Sequence, residues 1–311
     1  MSIYKYYKNK RILITGGSGF IAQNLVKKLL KFESKITLID KENNNLLNSN
    51  TNIIKCDIYD FTKLNKIILE ISPQITFHLA AFIDRDINFE ILRKMIKINI
   101  LGTVNVLESV KNSKKCNSII IAGTCEEYGY QKSKFKEHYK ENPVSPYSFS
   151  KVCNSYLCNM LMKNYQLPII LLRPSLAYGP GQKESMFIPA MINKLNNNEI
   201  FEMTFGEQTR DFIYISDLID AYLKAGIVNK YFGEIFNIGF GKSYKIKNIA
   251  NLIASYFGKK DLIKLGKIKY RKAEIMRYEI DISKANKLLK WKPKVGINKG
   301  IKNTIESYLN V

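Results

Sequence analysis

The feature that most constrains the fold is a short apolar strand that runs directly into a glycine-rich turn and then into a helix. Residues 11–15 (RILIT) are followed by the turn GGSG at 16–19 and by an amphipathic segment, Gly19–Lys31. The first glycine of such a turn lets the chain reverse tightly, the last lets backbone approach a bound group, and a small residue, here Ala22, lets helix and strand pack closely. Because a helix N-terminus favours negative charge, this connection predicts an anion site at a sheet edge.

The same alternation of apolar runs and helix-length segments continues through the N-terminal half of the chain. We predict strands at Arg11–Thr15, Lys35–Asp40, Asn52–Cys56, Gln74–Ala80, Ser118–Ala122 and Pro168–Arg173, and helices at Gly19–Lys31, Phe61–Glu70, Phe89–Asn112 and Tyr147–Asn164. Strands that are apolar on both faces are typical of a parallel sheet covered by helices. The sequence therefore predicts an α/β fold with a doubly wound parallel sheet.

Beyond residue 173 the order is looser, which indicates a smaller α/β C-terminal lobe. We predict a turn at Tyr178–Gln182 and helices at Ile188–Asn196, Ile215–Ala225, Ile246–Phe257, Ser283–Leu289 and Asn298–Leu309. Two patches rich in Asn and Lys, at 41–52 and 196–199, are predicted to be loops. We assign 1–172 to the first domain, with 210–240 packing back on it, and 173–209 with 241–311 to the second lobe.

The chain of 311 residues carries 49 Lys and Arg against 27 Asp and Glu, a net charge of +22. Only seven of the basic residues are arginine, and the lysines are spread along the chain. Arginine is the better reader of phosphates and bases, so this distribution argues against a nucleic-acid surface and favours a compositional bias. A positive field of any origin still attracts small acidic substrates.

Hydropathy and cysteine usage limit the cellular setting. No stretch approaches the roughly 20 apolar residues of a membrane span, so we expect a soluble, cytoplasmic protein without a membrane partner. The five cysteines show no CxxC or Cys/His spacing. That pattern favours reduced thiols and gives no reason to expect a metal.

Asp40 strengthens the interpretation of the glycine turn as a dinucleotide site. It ends the second predicted strand 21 residues after Gly19, where a carboxylate can bind the adenosine ribose hydroxyls. A 2′-phosphate about 4 Å away would be repelled by about 4 kcal/mol per charge pair at an effective dielectric near 20. We therefore expect NAD rather than NADP, a preference that the neighbouring Lys41 could soften.

Tyr147 and Lys151 stand one helical turn apart, but this spacing alone decides nothing. Tyr-x-x-x-Lys recurs elsewhere in this Lys-rich and Tyr-rich chain, for example from Tyr4 and Tyr256. The context is more informative, because Tyr147 follows a proline-flanked helix start and Thr124 follows the fifth strand, where doubly wound sheets bind ligands. A lysine charge would lower the phenol pKa towards a base usable at neutral pH. The alternative is a surface helix with an incidental pair.

Taken in order, these motifs resemble those of the extended short-chain dehydrogenase/reductases of the NAD-dependent epimerase/dehydratase type that act on nucleotide sugars. The resemblance rests on the glycine turn with Asp40, Asp57, His78–Ala81, Asn99–Glu108, Thr124 with Tyr147 and Lys151, and Arg210–Tyr214. It implies a Rossmann-type NAD domain, a role in polysaccharide biosynthesis, and a homodimer formed through 89–112 and 147–164. It implies these cofactor-binding residues: Gly16, Gly19, Phe20, Ile21, Asp40, Asp57, Ile58, Leu79, Ala80, Ala81, Asn99, Tyr147 and Lys151.

The resemblance also implies a first chemical step. Tyr147 would remove the proton of the sugar C4 hydroxyl while hydride passes to NAD, with Thr124 holding the same oxygen and Lys151 binding the nicotinamide ribose. Return of hydride to the other face of the 4-keto sugar makes a 4-epimerase, whereas removal of the C5 proton by Glu126 and loss of the C6 hydroxyl makes a 4,6-dehydratase. Dehydratases of the dTDP-glucose type carry an acidic Asp where this chain has Cys125.

Two alternatives stay open beside these reactions. The string from Glu126 to Gly129 is also similar to reductases of 4-keto-6-deoxy sugars, which would draw hydride from free NAD(P)H. A non-catalytic relative that binds dinucleotides or nucleic acid is the more distant possibility. By the same resemblance, Arg210 and Arg271 would hold the diphosphate or ribose of a nucleotide-diphosphate sugar, with Glu274 near the ribose. Arg173, at the end of a buried strand, is instead expected to be structural.

Overall fold

The computed structural model describes residues 2–42, 51–132 and 134–310, which form two compact units. The first unit comprises Met1–Gly129, Lys140–Arg173 and Ile219–Phe236, and the second comprises Tyr130–Tyr139, Pro174–Leu218 and Asn237–Val311. The strands are β1 (Arg11–Thr15), β2 (Lys35–Asp40), β3 (Thr51–Lys55), β4 (Ile75–His78), β5 (Ser118–Ala122), β6 (Ile169–Pro174), β7 (Leu176–Tyr178), β8 (Phe201–Glu202), β9 (Thr209–Tyr214), β10 (Ile235–Ile238), β11 (Ser243–Lys245) and β12 (Ile263–Lys264). The α-helices are α1 (Ile3–Tyr7), α2 (Phe20–Leu30), α3 (Phe61–Ile71), α4 (Phe89–Met95), α5 (Gly102–Ser113), α6 (Pro146–Tyr165), α7 (Phe187–Asn196), α8 (Ile215–Ala225), α9 (Ile246–Phe257), α10 (Ser283–Leu289) and α11 (Ile297–Leu309).

The central feature of the described chain is a seven-stranded sheet in the order β10-β6-β5-β4-β1-β2-β3. The pairs from β3 through β6 are parallel. The strand order reverses beside β1, and the carboxyl ends of these strands share one edge, which is where ligands bind in doubly wound sheets. The predicted α/β fold of Rossmann type is confirmed.

The strands are parallel and central because both of their faces are apolar. Every residue of β4 and β5 is buried, and Leu13, Ile119 and Leu171 join one core cluster with residues of α3 and α5. Each large aliphatic side chain buried in this way contributes about 1.5–3 kcal/mol relative to exposure. This core fixes the sheet edge that carries the predicted site.

Several sequence-based element assignments were wrong in detail. The helix predicted over 89–112 is interrupted by a π-helical segment, Ile96–Leu101, between α4 and α5. In the predicted loop 41–52, Thr51 and Asn52 instead begin β3, and residues 43–50 lie outside the described part of the chain. Helix α1 was not anticipated from the sequence.

The second unit contains a three-stranded sheet, β11-β9-β7, and a two-stranded sheet, β12-β8. Its bounds differ from the predicted domains. Residues 210–218 and 237–240 do not join the first unit, because β9 pairs with β7 and β11, and Asp217 Oδ2 accepts the backbone N–H groups of Lys294 and Val295. Residues 130–139 join the second unit, where Phe135 bridges to Ile280.

Candidate active site

The glycine turn after β1 has the backbone that a dinucleotide site needs. Gly16 has a φ of +73°, and a Cβ added there would lie 2.7 Å from Ala80 Cα, so a side chain is excluded by conformation and by contact. Gly19 is the N-cap of α2 and has no side chain to cap it. Phe20 and Ile21 open that helix, so their amides are placed for an anion. These residues fit the pyrophosphate of a dinucleotide.

Asp40, at the end of β2, is joined directly to this turn. Its Oδ2 accepts hydrogen bonds from the Ser18 backbone N–H at 2.9 Å and from Ser18 Oγ at 2.7 Å. Ser18 is not among the residues predicted from the sequence, although its place inside the turn could have identified it. The carboxylate therefore lies beside the glycine turn, as a group that binds ribose hydroxyls must.

Five further residues of the predicted cofactor set follow β3 and β4 at the same sheet edge: Asp57, Ile58, Leu79, Ala80 and Ala81. Asp57 is exposed and accepts the Tyr59 N–H, whereas the next residue, Ile58, is buried. The N–H groups of Leu79 and Ala80 donate to the carbonyl and the hydroxyl of Thr15. Ala81 follows them and is half-buried. These bonds hold the chain after β4 against the end of β1.

A buried polar network beneath this edge connects β1 and β4 with two helices. Thr103 Oγ1 donates to the Asn99 carbonyl, so it must accept from His78 Nε2 at 2.8 Å, as it does from Asn154 Nδ2. His78 therefore carries its proton on Nε2 and accepts the Thr15 hydroxyl on Nδ1 at 2.7 Å. Burial, assisted by the charge of Lys151, lowers the pKa of His78 to about 3, so the ring is neutral.

Asn99, predicted to bind the cofactor, lies in the π-helical segment and is engaged by protein groups. Its Oδ1 accepts the Phe82 N–H, and its Nδ2 donates to the Phe82 carbonyl and to Ser150 Oγ. Ser150 Oγ in turn donates to the Tyr147 carbonyl. Asn99 thus ties the segment after β4 to the helix that carries Tyr147.

Thr124, Tyr147 and Lys151 are brought to the end of β5. Thr124 caps a short 3-10 helix, Cys125–Tyr128, and its hydroxyl accepts the Glu126 N–H. Lys151 is buried on α6 and donates from Nζ to the Ala122 carbonyl at 2.8 Å. The same Nζ lies 5.8 Å from the centre of the Tyr147 ring. The bond to Ala122 fixes α6 against β5, and the i, i+4 spacing on α6 places the Tyr147 ring near the same ammonium group.

The expectation that Lys151 lowers the phenol pKa is wrong for the protein by itself. Burial raises the pKa of Tyr147, and the charges of Glu126 and Glu127 raise it further, while Arg85 acts weakly in the opposite direction. Burial lowers the pKa of Lys151 to about 8, against the opposing charge of Glu127. Without further positive charge the phenol remains protonated at neutral pH.

Glu127 is a second residue of the site, after Ser18, that was not predicted from the sequence. It is fully buried, and it accepts the Thr124 N–H at 2.9 Å, Ser155 Oγ at 2.6 Å and Arg173 Nε at 2.9 Å. The Arg173 guanidinium also bonds Glu141 at 2.6 Å. Arg173 is therefore structural, as its position predicted, and its ion pair positions Thr124 through Glu127. The sequence signal for Glu127 is a pair of consecutive carboxylates, of which only Glu126 is predicted to be a site residue.

Glu126 and Cys125 occupy opposite environments in the 3-10 helix after Thr124. Glu126 is half-buried, and its charge acts on Tyr147. Cys125 is fully buried, and its Sγ donates to the Arg173 carbonyl at 3.0 Å. The thiol hydrogen is thus bonded to strand β6, and the thiol is not placed to act as an acid.

In the second unit, the structure brings together two of the predicted substrate residues. Arg210, on β9, forms an ion pair with Glu274 and donates to the Ile275 carbonyl at 2.6 Å. Arg271 is exposed, and its carbonyl accepts the Glu274 N–H at 3.2 Å. Arg271 and Glu274 therefore lie in one turn beside β9, and Glu274 orients the guanidinium of Arg210.

A doubly wound parallel sheet with a glycine turn after β1, a carboxylate ending β2 and a Thr/Tyr/Lys set after β5 defines an extended short-chain dehydrogenase/reductase. The family model for the NAD-dependent epimerase/dehydratase family matches residues 12–239. The chain belongs to this family, whose members act on nucleotide sugars with a nicotinamide dinucleotide.

Relatives of two reaction types match nearly the whole chain. A putative UDP-glucose 4-epimerase of Methanocaldococcus jannaschii is 30% identical, over 94% of this chain and 97% of its own length. The structure of a Thermotoga maritima UDP-glucose 4-epimerase with UDP-glucose matches with a TM-score of 0.90 and 26% identity, over 96% of this chain and 98% of that one. The Bacillus anthracis dTDP-glucose 4,6-dehydratase in complex with NAD matches with a TM-score of 0.86 and 27% identity, over 96% of both chains.

Proposed function

We propose that this protein is an NAD-dependent enzyme that oxidises a nucleotide-diphosphate sugar at C4 and works through a 4-keto intermediate. The observation that supports the proposal is the bond from Lys151 Nζ to the carbonyl of Ala122, at the end of β5 and two residues before Thr124, with the centre of the Tyr147 ring 5.8 Å from the same Nζ. That edge of a doubly wound sheet is where the dinucleotide site also lies.

Each residue of this set has a distinct part in the proposed first step. Tyr147 accepts the proton of the C4 hydroxyl, and the Thr124 hydroxyl holds the same oxygen by a hydrogen bond. Lys151 binds the nicotinamide ribose. NAD, when bound, adds the positive charge of its ring and takes up and returns the C4 hydrogen as hydride.

The cofactor would be held by the residues around the glycine turn. Gly16 and Gly19 leave room for the pyrophosphate, and the amides at the start of α2 face it. Asp40 would accept the ribose hydroxyls, and Asp57, Ile58, Leu79, Ala80 and Ala81 would border the adenine and the nicotinamide arm. The Asp40 carboxylate supports NAD over NADP, because it would repel a 2′-phosphate. The Lys41 ammonium, which could soften this preference, lies 3.7 Å from Glu42 Oε1, and the Glu42 carboxylate offsets its charge.

The position of Cys125 favours 4-epimerisation over 4,6-dehydration. Loss of the C6 hydroxyl needs an acid that protonates the leaving group, and Cys125 stands where dehydratases of the dTDP-glucose type carry Asp. A fully buried thiol that donates to the Arg173 carbonyl is a poor acid for that step. Glu126 would then be a carboxylate beside the reacting sugar, and its charge would act on the pKa of Tyr147. The alternative of an NADPH-dependent 4-keto-sugar reductase is disfavoured by Asp40.

The second unit would bind the nucleotide diphosphate. Arg210, held by Glu274, and Arg271 offer planar guanidinium groups, which suit bidentate contacts with phosphate oxygens. Similar structures with UDP-glucose and the dehydratase relatives support a UDP-sugar or a dTDP-sugar as the substrate class. We also propose a homodimer through the surface of 89–112 and 147–164, where Phe149, Tyr156 and Met160 are exposed.

The decisive test compares purified wild-type protein with Tyr147→Phe on a panel of UDP-sugars and dTDP-sugars with NAD. We expect wild-type turnover to a 4-epimer, and a loss of at least about a hundredfold in Tyr147→Phe with nucleotide-sugar binding retained. Tyr165→Phe, on the exposed end of the same helix, is the matched control. Near-normal turnover by Tyr147→Phe sinks the proposal, and a 4-keto-6-deoxy product would establish dehydration instead.

A further inference from the structure

An exposed cluster of large apolar side chains in the second unit is unrelated to the residues assigned to catalysis. Phe205, in the loop after β8, is 61% exposed, and Leu265 and Ile268, in the turn after β12, are 47% and 50% exposed. The two loops are fastened together, since Met203 N–H donates to the Lys264 carbonyl and Ile268 N–H donates to the Met203 carbonyl. We call Phe205, Leu265 and Ile268 the apolar tip.

Phe205 of the apolar tip lies against the turn that carries Leu265 and Ile268. Gly266, between Leu265 and the next lysine, has a φ of +74°, and a Cβ there would lie 2.7 Å from the Phe205 ring. The ring of Phe205 therefore packs across the backbone of the turn. Exposed apolar side chains grouped in this way mark interaction sites, whereas single ones need no explanation.

Positive charge surrounds the apolar tip. Residues 264–270 carry three basic side chains, Lys264, Lys267 and Lys269, and no acidic one, and all three are exposed. The Glu207 carboxylate, two residues after Phe205, is paired with both Lys245 and Lys247. Glu202, in register with Lys264, is a further carboxylate nearby, and the surface keeps a net positive charge.

Against the sequence-based expectation of no membrane partner, we propose that the apolar tip and the lysines around it dock on the surface of a membrane rich in anionic phospholipids. Aliphatic and aromatic side chains flanked by lysine suit the boundary between headgroups and acyl chains, where apolar groups enter and ammonium groups stay among phosphates. Arginine and stacked aromatic rings would bind a nucleic acid better than Leu265 and Ile268. Among the described residues, no helix is long and apolar enough to cross a membrane.

The test is flotation of the full-length protein with vesicles of phosphatidylcholine alone or mixed with phosphatidylglycerol. We expect binding only to the mixed vesicles, weakening as salt is raised. Lys267→Glu/Lys269→Glu should lower the binding constant at least about tenfold, because each lysine near an anionic surface contributes a factor of about five. Leu265→Ser/Ile268→Ser should also lower it severalfold at unchanged net charge.

Matched controls keep the interpretation specific. Lys66→Glu/Leu69→Ser, an exposed lysine and leucine on α3, should bind vesicles like the wild type. All variants should keep wild-type thermal unfolding and nucleotide-sugar turnover, because the changed side chains lie at the surface. Absence of vesicle binding at low salt overturns the proposal. So does equal binding by Leu265→Ser/Ile268→Ser together with salt-sensitive binding to duplex DNA, which would identify a nucleic-acid surface.

Discussion

His78 gives the sharpest physical prediction, because its protonation couples the stability of the sheet edge to pH. The ring is neutral in the folded protein, with a pKa of about 3, whereas an exposed histidine in the unfolded chain titrates near 6.5. Between those values the unfolded chain binds more protons, so stability rises with pH. The contribution of neutral His78 to the free energy of unfolding is complete above pH 6.5 and is lost as the pH falls towards 3.

The magnitude follows from the separation of the two pKa values. Each pH unit below 6.5 costs about 1.4 kcal/mol, which amounts to about 2 kcal/mol at pH 5 and about 5 kcal/mol at pH 3. His78→Gln keeps a donor for Thr103 and removes the titrating ring. Above pH 7 we expect this variant to be less stable by about 1–3 kcal/mol, because the acceptor for the Thr15 hydroxyl is lost.

The assay is urea unfolding of wild type and His78→Gln at several pH values between 5 and 8. The free energy of unfolding should fall with acidity more steeply in the wild type, by about 1.4 kcal/mol per pH unit below 6.5. Other groups that titrate in this range, such as Asp211 with a pKa raised to about 6, are common to both proteins. His138→Gln, at the exposed second histidine, is the control. Parallel profiles for wild type and His78→Gln would refute the neutral, buried network.

Three further substitutions test the supporting parts of the site. Arg173→Met should destabilise the protein by about 3–5 kcal/mol in urea unfolding, because it leaves Glu127 buried without its partner, and adding Glu127→Leu should recover part of that loss. Gly16→Ala should abolish dinucleotide binding measured by calorimetry, since neither its φ nor the Ala80 backbone accommodates a Cβ; binding at wild-type strength would contradict this. Asp40→Ser should raise the ratio of NADP to NAD affinity at least about tenfold, and an unchanged ratio would remove Asp40 from cofactor selection.

The parts of the molecule that the sequence predicted are those governed by local pattern. Strands such as β1 and β5 were placed correctly because short apolar runs between turn residues are a local signal. The glycine turn was equally readable, since positive φ at Gly16 is a property of that residue type. The order of motifs then led to the family.

The parts that could not be predicted depend on contacts between distant residues. The π-helical segment forms where Asn99 bonds Phe82 and Ser150, which no helical periodicity encodes. The raised pKa of Tyr147 depends on burial and on the charges of Glu126 and Glu127. The sequence pattern shows how residues are spaced along the chain. Desolvation and ion pairing depend on which residues meet in the folded protein, so the pattern does not predict them.

The most direct test of the account follows a deuterium label placed at C4 of the substrate sugar. The proposed chemistry removes this hydrogen from C4 as hydride and returns it to the same carbon of the product, so turnover should be slowed by a primary isotope effect and the 4-epimer should retain deuterium at C4. Tyr147→Phe should leave the labelled substrate unchanged. A product formed without an isotope effect, or with its label lost to solvent, would contradict hydride transfer at C4.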